Sequence, residues 1–149
     1  MSVVVRVTTR FLVPIVFVFG GYVILHGHLT PGGGFQGGAV AASAVALILV
    51  TFGAARLKKY QDLLSILDDL GGVAFVAIAF LGIGLTYFAN VLAGMGGLFG
   101  APAPVGPNPG VLNTGGTLPL MSWAVGFKVL GGLGAVLVVL GLFGGDDDR

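Results

Sequence analysis

Apolar residues run through this chain in four long blocks, and polar residues are confined to the links between them. The blocks span about Phe11 to Leu29, Phe35 to Ala54, Leu70 to Ala93 and Leu120 to Phe143. A bilayer core about 30 Å thick needs roughly 20 apolar residues as helix. Each block meets that length, so the pattern predicts an all-α, polytopic membrane protein with four transmembrane helices in one domain over residues 1–149. The link after the second block is different. Leu57, Tyr60, Leu63, Leu64, Leu67 and Leu70 recur at helical spacing, with Lys58, Lys59, Gln61, Asp62 and Ser65 between them. That pattern suits a short amphipathic linker helix over residues 56–70 lying in the cytoplasmic interface, the alternative being a solvated connector. Asp68 and Asp69 then fall at the start of the third span, where carboxylates cap free amides and favour the positive end of the helix dipole. The link from Gly94 to Pro119 is rich in Gly, Pro and Asn, which block helix. Its low charge is unusual for a freely solvated loop and suits packing against other subunits.

Composition strengthens the membrane reading. Hydrophobic residues make up 56% of the chain and charged residues 9%, against about 25% charged in a soluble domain. So few charges cannot cover a water-facing surface. With no cysteine, disulfides, thiolate metal sites and cysteine nucleophiles are excluded. A net charge of +1 offers nothing to nucleic acid. The start, Met1 to Arg6, lacks a small-residue cleavage site after its apolar run and reads as a retained span. Charge placement sets an orientation. Arg6 and Arg10 precede the first span, Arg56, Lys58 and Lys59 follow the second, and the other two links carry no basic residue. The positive-inside rule then puts both termini and the middle link in the cytoplasm. The short tail Asp146-Asp147-Asp148-Arg149 does not oppose this, because acidic residues have little weight in that rule.

The most specific segment is His26-Gly-His28-Leu-Thr30-Pro31-Gly32-Gly33-Gly34-Phe35-Gln36-Gly37-Gly38. It lacks the Lys-Ser/Thr pair of a phosphate-binding loop. Thr30 is placed to cap the second span, and Pro31 suits its first turn. Gly34, Gly38 and Ala42 are four apart, as are Gly33, Gly37 and Ala41. Such stripes let neighbouring helices approach closely in lipid. The segment resembles the signature of the MnhB-type small subunit of Mrp (Mnh) multisubunit sodium/proton antiporters: a Gly-His pair, Pro-Gly-Gly-Gly-Phe and a further Gly-Gly, here Gly27-His28, Pro31 to Phe35 and Gly37-Gly38. The resemblance covers the whole chain and implies a non-catalytic partner of large antiporter-like subunits, without a cofactor. In the antiporter members an acidic residue follows an aromatic near the start of the last span, where this chain has Phe127-Lys128. That departure resembles the version in redox-driven membrane-bound hydrogenase and sulfur-reductase complexes. It implies those subunits as further partners. The other readings are a subunit of a free-standing antiporter and a purely structural scaffold.

Few residues could carry chemistry. No nucleophile–base pair, metal cluster or cofactor cradle is visible. Lys128 is the one charged residue well inside a predicted span, and an ionisable group there is a functional candidate by default. With no acidic residue inside a predicted span, its counter-ion is expected from another subunit; snorkelling to the outer interface is the alternative. His26 and His28 are two apart, which does not put them on one helix face for a metal. Either could pass protons or fasten the Pro-Gly turn.

Overall fold

The computed structural model describes residues 2–103, 105 and 111–144. Among these there are helices and loops but no strand: α1 (Val3–Leu25), α2 (Gly33–Phe52), α3 (Ala54–Leu57), a 3-10 turn at Lys58–Tyr60, α4 (Gln61–Phe80) and α5 (Leu118–Phe143). Four stretches are long and apolar enough to cross a membrane: Val3–Leu25, Gly33–Phe52, Ala54–Phe80 and Leu118–Phe143. This is a multi-pass helical membrane protein. In lipid the helix is favoured because it satisfies every backbone donor and acceptor within one segment.

The boundaries differ from the sequence expectation in three places. The linker helix is shorter than residues 56–70, because α3 and the 3-10 turn end at Tyr60 and residues 61–70 belong to the third span. The apolar stripe of that segment packs on α5: Leu64 is buried in the core cluster with Leu130 and Val138, instead of facing headgroups. Asp68 and Asp69 therefore lie mid-helix and cap nothing. The third span also ends at Phe80, not near Ala93. Gly82 and Gly84 follow, poor helix formers, and the chain doubles back so that the Phe88 N–H donates to the Ala79 carbonyl at 3.0 Å. Finally, Thr30 does not cap α2, and Pro31 precedes its first turn. The N-cap is Gly32 at φ +135, followed by Gly33 at φ +65, backbone that glycine alone adopts freely. Thr30 Oγ1 instead donates to the His26 carbonyl at 3.2 Å.

The helices stand in a single row in the order α1, α2, α5, α4. The two inner helices bury 39% and 28% of their apolar windows, the outer two 11% and 17%. Small residues make this row possible. On one side of α2, a Cβ added at Gly37 would stand 2.7 Å from the Ile24 nitrogen and 2.8 Å from the Gly20 carbonyl oxygen of α1. On the other side, a Cβ at Gly34 would collide with the Ser122 carbonyl oxygen of α5, and one at Gly38 would stand 2.6 Å from the Gly126 oxygen. Lipid tails are as apolar as leucine, so close packing and polar bonds hold membrane helices together where burial from water cannot. One such bond is the buried Thr9–Thr51 hydroxyl pair at 2.9 Å between α1 and α2, worth about 0.6 kcal/mol.

The long link folds over the end of the row where α2 and α5 begin. The Ala101 N–H donates to the Asn113 carbonyl at 3.0 Å, and the Asn113 side-chain oxygen accepts from the Phe99 N–H at 2.6 Å. The buried Phe99 ring meets Trp123 of α5 edge-on at 5.4 Å. Asn90 fastens the strap from the other side. Its amide donates to the Gly115 carbonyl at 3.0 Å, and its oxygen accepts from Thr117 N–H at 2.8 Å and Thr117 Oγ1 at 3.0 Å. Asn108 and the tail Asp146 to Arg149 lie outside the described residues.

Candidate functional site: an ion pair inside the membrane row

Lys128 is the eleventh residue of α5 and Asp68 the eighth of α4, each well inside its span. Lys128 lies about 15 Å along the helix from Leu118. Its Nζ donates to Asp68 Oδ1 at 2.6 Å. This overturns the expectation that the counter-ion comes from another subunit. The cause is the earlier start of α4, which draws Asp68 into the span and onto the α5 seam.

Glycines on both helices bring the two charges together. A Cβ at Gly71 of α4 would stand 2.6 Å from the Lys128 nitrogen and 2.7 Å from the Ala124 oxygen. A Cβ at Gly131 of α5 would collide with the Asp68 nitrogen and stand 2.5 Å from the Leu64 oxygen. One residue further along each helix, glycines border the charged groups. A Cβ at Gly72 would be 3.4 Å from Lys128 Nζ, and one at Gly132 would be 3.5 Å from the Asp68 carboxylate. The arrangement is reciprocal: Asp68-Asp-Leu-Gly-Gly72 faces Lys128-Val-Leu-Gly-Gly132 across antiparallel helices, each charge lying over the other helix's glycine pair. Sequence reasoning missed Asp68, although this repeated Leu-Gly-Gly, starting two residues after a charge, was visible.

The pair is not sealed inside the chain. The side chains are 52% and 35% exposed, and at this depth the open part meets lipid or protein, not bulk water. Beside it, an apolar groove of about 640 Å³ between α4 and α5 is lined by Leu67, Leu70, Gly71, Trp123, Ala124 and Phe127, among others. An ion pair in such surroundings can hold a local field, exchange a proton, or offer its carboxylate to a passing cation.

The histidines do not join this site. Ser122, which packs on Gly27 and bonds to the Ile24 carbonyl at 3.3 Å, is six residues before Lys128, about 9 Å of helix. His26 stacks on Tyr22 with ring centroids 4.1 Å apart, and its Nδ1 lies 3.2 Å from the Tyr22 carbonyl. His28 Nε2 lies 3.2 Å from the Leu112 carbonyl and ties the glycine segment to the strap. Pro31 and Gly33 sit in that same turn, whereas Gly34, Gly37 and Gly38 are interhelical contacts within this chain. No group of three or more His, Asp or Glu converges among the described residues.

The family described as "Domain related to MnhB subunit of Na+/H+ antiporter" matches residues 4–135, nearly the whole chain. The chain belongs to this MnhB-related family. The corresponding small subunit of the Na+/H+ antiporter of Bacillus subtilis is 33% identical over 102 residues, 68% of this chain and 62% of that protein. An uncharacterised protein of Methanocaldococcus jannaschii is 36% identical over 120 residues, 78% of this chain but 44% of its own length. The chain thus spans less than two thirds of either relative. The matched MnhB region includes the glycine segment, Asp68 and Lys128.

Proposed function

We propose that this chain is a non-catalytic small subunit of an Mrp-type cation/proton antiporter module, with the Lys128–Asp68 pair facing a polar path or ionisable group of a neighbouring subunit. The observation that carries this is a close ion pair at mid-span, left half open beside an apolar groove. A row of four helices with two broad apolar faces also supports assembly into something larger, since apolar faces of this kind pack on neighbours or lipid. The finer reading places the module in a redox-driven complex of hydrogenase or sulfur-reductase type. It is supported by Phe127-Lys128 standing where the antiporter members have an aromatic–acid pair. The second reading, a free-standing antiporter, is supported by the name of the B. subtilis relative. Affinity purification of the tagged chain from native membranes, with identification of the proteins that accompany it, decides between them. Large antiporter-like subunits together with hydrogenase or reductase subunits support the first reading, antiporter-like subunits alone the second. Recovery of the chain with neither refutes the proposal.

Both termini and the α2–α4 connection are proposed to face the cytoplasm, on the strength of Arg6, Arg10, Arg56, Lys58 and Lys59 at one end of the row. A single cysteine at Lys59 should stay unlabelled by an impermeant thiol reagent added outside intact cells. One at Thr30 or Asn108 should react in the absence of a covering subunit. Labelling at Lys59 with none at Thr30 and Asn108 overturns the orientation.

A further inference from the structure

At the end of the row opposite the strap, α1 and the α2–α4 connection enclose a cleft of about 600 Å³ lined by Thr9, Arg10, Phe52, Arg56, Lys59 and Tyr60, among others. Two guanidinium groups converge on one aromatic ring: the Arg10 carbon lies 5.9 Å and the Arg56 carbon 5.1 Å from the Phe52 centroid. Lys59 Nζ lies 4.7 Å from the Tyr60 centroid. Three cations thus share one concavity, and the Lys128–Asp68 pair is the salt bridge found among the described residues, so none of the three has a carboxylate partner there. Gathering like charges raises the energy of the site unless an anion enters it. The geometry is fixed by the fold. The buried Thr9–Thr51 bond pins the neighbours of Arg10 and Phe52, and Gly53 at φ +84 turns the chain so that Arg56 comes back over the ring.

We infer that this cleft binds the phosphodiester headgroup of an anionic membrane phospholipid. The cleft sits where the helix row meets the headgroup layer, and basic pockets between transmembrane helices at that depth bind anionic headgroups. Guanidinium groups suit phosphate because they donate paired N–H bonds to two of its oxygens. The apolar floor from Val13 and Ile48 continues inward along the helices, where a glycerol backbone and the first methylenes of an acyl chain would lie.

The test uses the full chain and the assembled complex in mild detergent, with retained lipid counted by native mass spectrometry. Phosphatidylglycerol, phosphatidylcholine and inorganic phosphate are the probes. The wild type should retain one phosphatidylglycerol in preference to phosphatidylcholine, and millimolar inorganic phosphate should not displace it. Arg10→Gln with Arg56→Gln should lower retention roughly tenfold or more, the scale expected for removing two cations at a headgroup. Arg6→Gln with Lys58→Gln, at the same end but outside the cleft, should change it little, and unchanged helicity by circular dichroism keeps the comparison one of folded proteins. Equal loss in both double variants, no loss in the first, or equal retention of phosphatidylcholine overturns the inference. Displacement by inorganic phosphate assigns the cleft to a free anion and overturns the lipid. Retention by the isolated chain but not by the complex assigns the cleft to a neighbouring subunit's carboxylates. Retention that appears only after Asp146, Asp147 and Asp148 are replaced by Asn assigns it to the chain's own tail. Either of these last results overturns the inference too.

Discussion

Gly34→Leu should remove most of the folded, monodisperse chain from detergent extracts. The first added carbon at Gly34 meets the Ser122 carbonyl oxygen and stands 2.8 Å from the Ser122 carbonyl carbon and 3.0 Å from the Gly126 nitrogen. All three are backbone atoms of α5, so no rotamer change relieves the clash and the two helices must separate. Overpacking a well-filled site costs typically about 1–3 kcal/mol, and separation of α2 from α5 also splits the row at its centre, because α2 alone carries α1. Gly34→Ala is therefore expected to be harmful already, lowering the thermal midpoint of the extracted chain. Gly21, one residue past the buried Gly20 on α1, has nothing within 4 Å of an added Cβ. Gly21→Ala should leave yield and midpoint unchanged. If Gly34→Leu and Gly21→Ala gave the same yield and midpoint by size-exclusion chromatography and thermal scanning, the α2–α5 seam would not be as described.

The contrast between those glycines bounds what the sequence could tell. The stripes at Gly33, Gly37, Ala41 and Gly34, Gly38, Ala42 marked α2 as a packing helix because small residues at helical spacing have one physical use in lipid. The pattern was silent on the partner: the neighbours turned out to be α1 and α5 of the same chain. Four spans were legible because a bilayer imposes a length that composition alone reveals. The start of the third was not. Lys58, Lys59, Asp62, Asp68 and Asp69 among leucines satisfy the template of an interfacial helix as well as that of a span with one polar edge. What decided was tertiary packing, since Leu64 and Gly71 find their complement in Gly134, Gly131 and Ala124 of α5. The same error hid Asp68, and with it the partner of Lys128. Hydropathy counts each charge as a penalty and does not register that two opposite charges on adjacent helices cancel most of it. The strap was unreadable for another reason: its order depends on the Asn90 and Asn113 side chains bonding across 25 and 14 residues, which no local periodicity encodes.

Lys128→Met and Asp68→Leu should each be severe alone and mild together. Either single change leaves one ionised group at mid-span without its partner, and breaking a desolvated pair costs about 3 kcal/mol or more. Loss of Asp68 is expected to be somewhat the milder, because the long lysine side chain can reach toward the headgroups while a carboxylate at that depth cannot. Each single variant should lower complex yield. The double variant removes both charges, and burying apolar groups in place of an ion pair is often neutral or stabilising, so assembly should recover. Lys128→Arg keeps the charge, but its larger planar head must fit beside Gly72, where a Cβ would be only 3.4 Å from Nζ. It should assemble at an intermediate level. Transport separates function from structure. Ion pumping by reconstituted vesicles, normalised to assembled complex, should stay low in the double variant if the pair sets the field or proton affinity of a neighbouring path, since its charges are gone while its packing is restored. Full transport by that variant would make Lys128 and Asp68 a packing device and remove the ion-path role proposed for them. It would leave family membership and the place of the chain in a larger complex untouched, because neither depends on what the pair does.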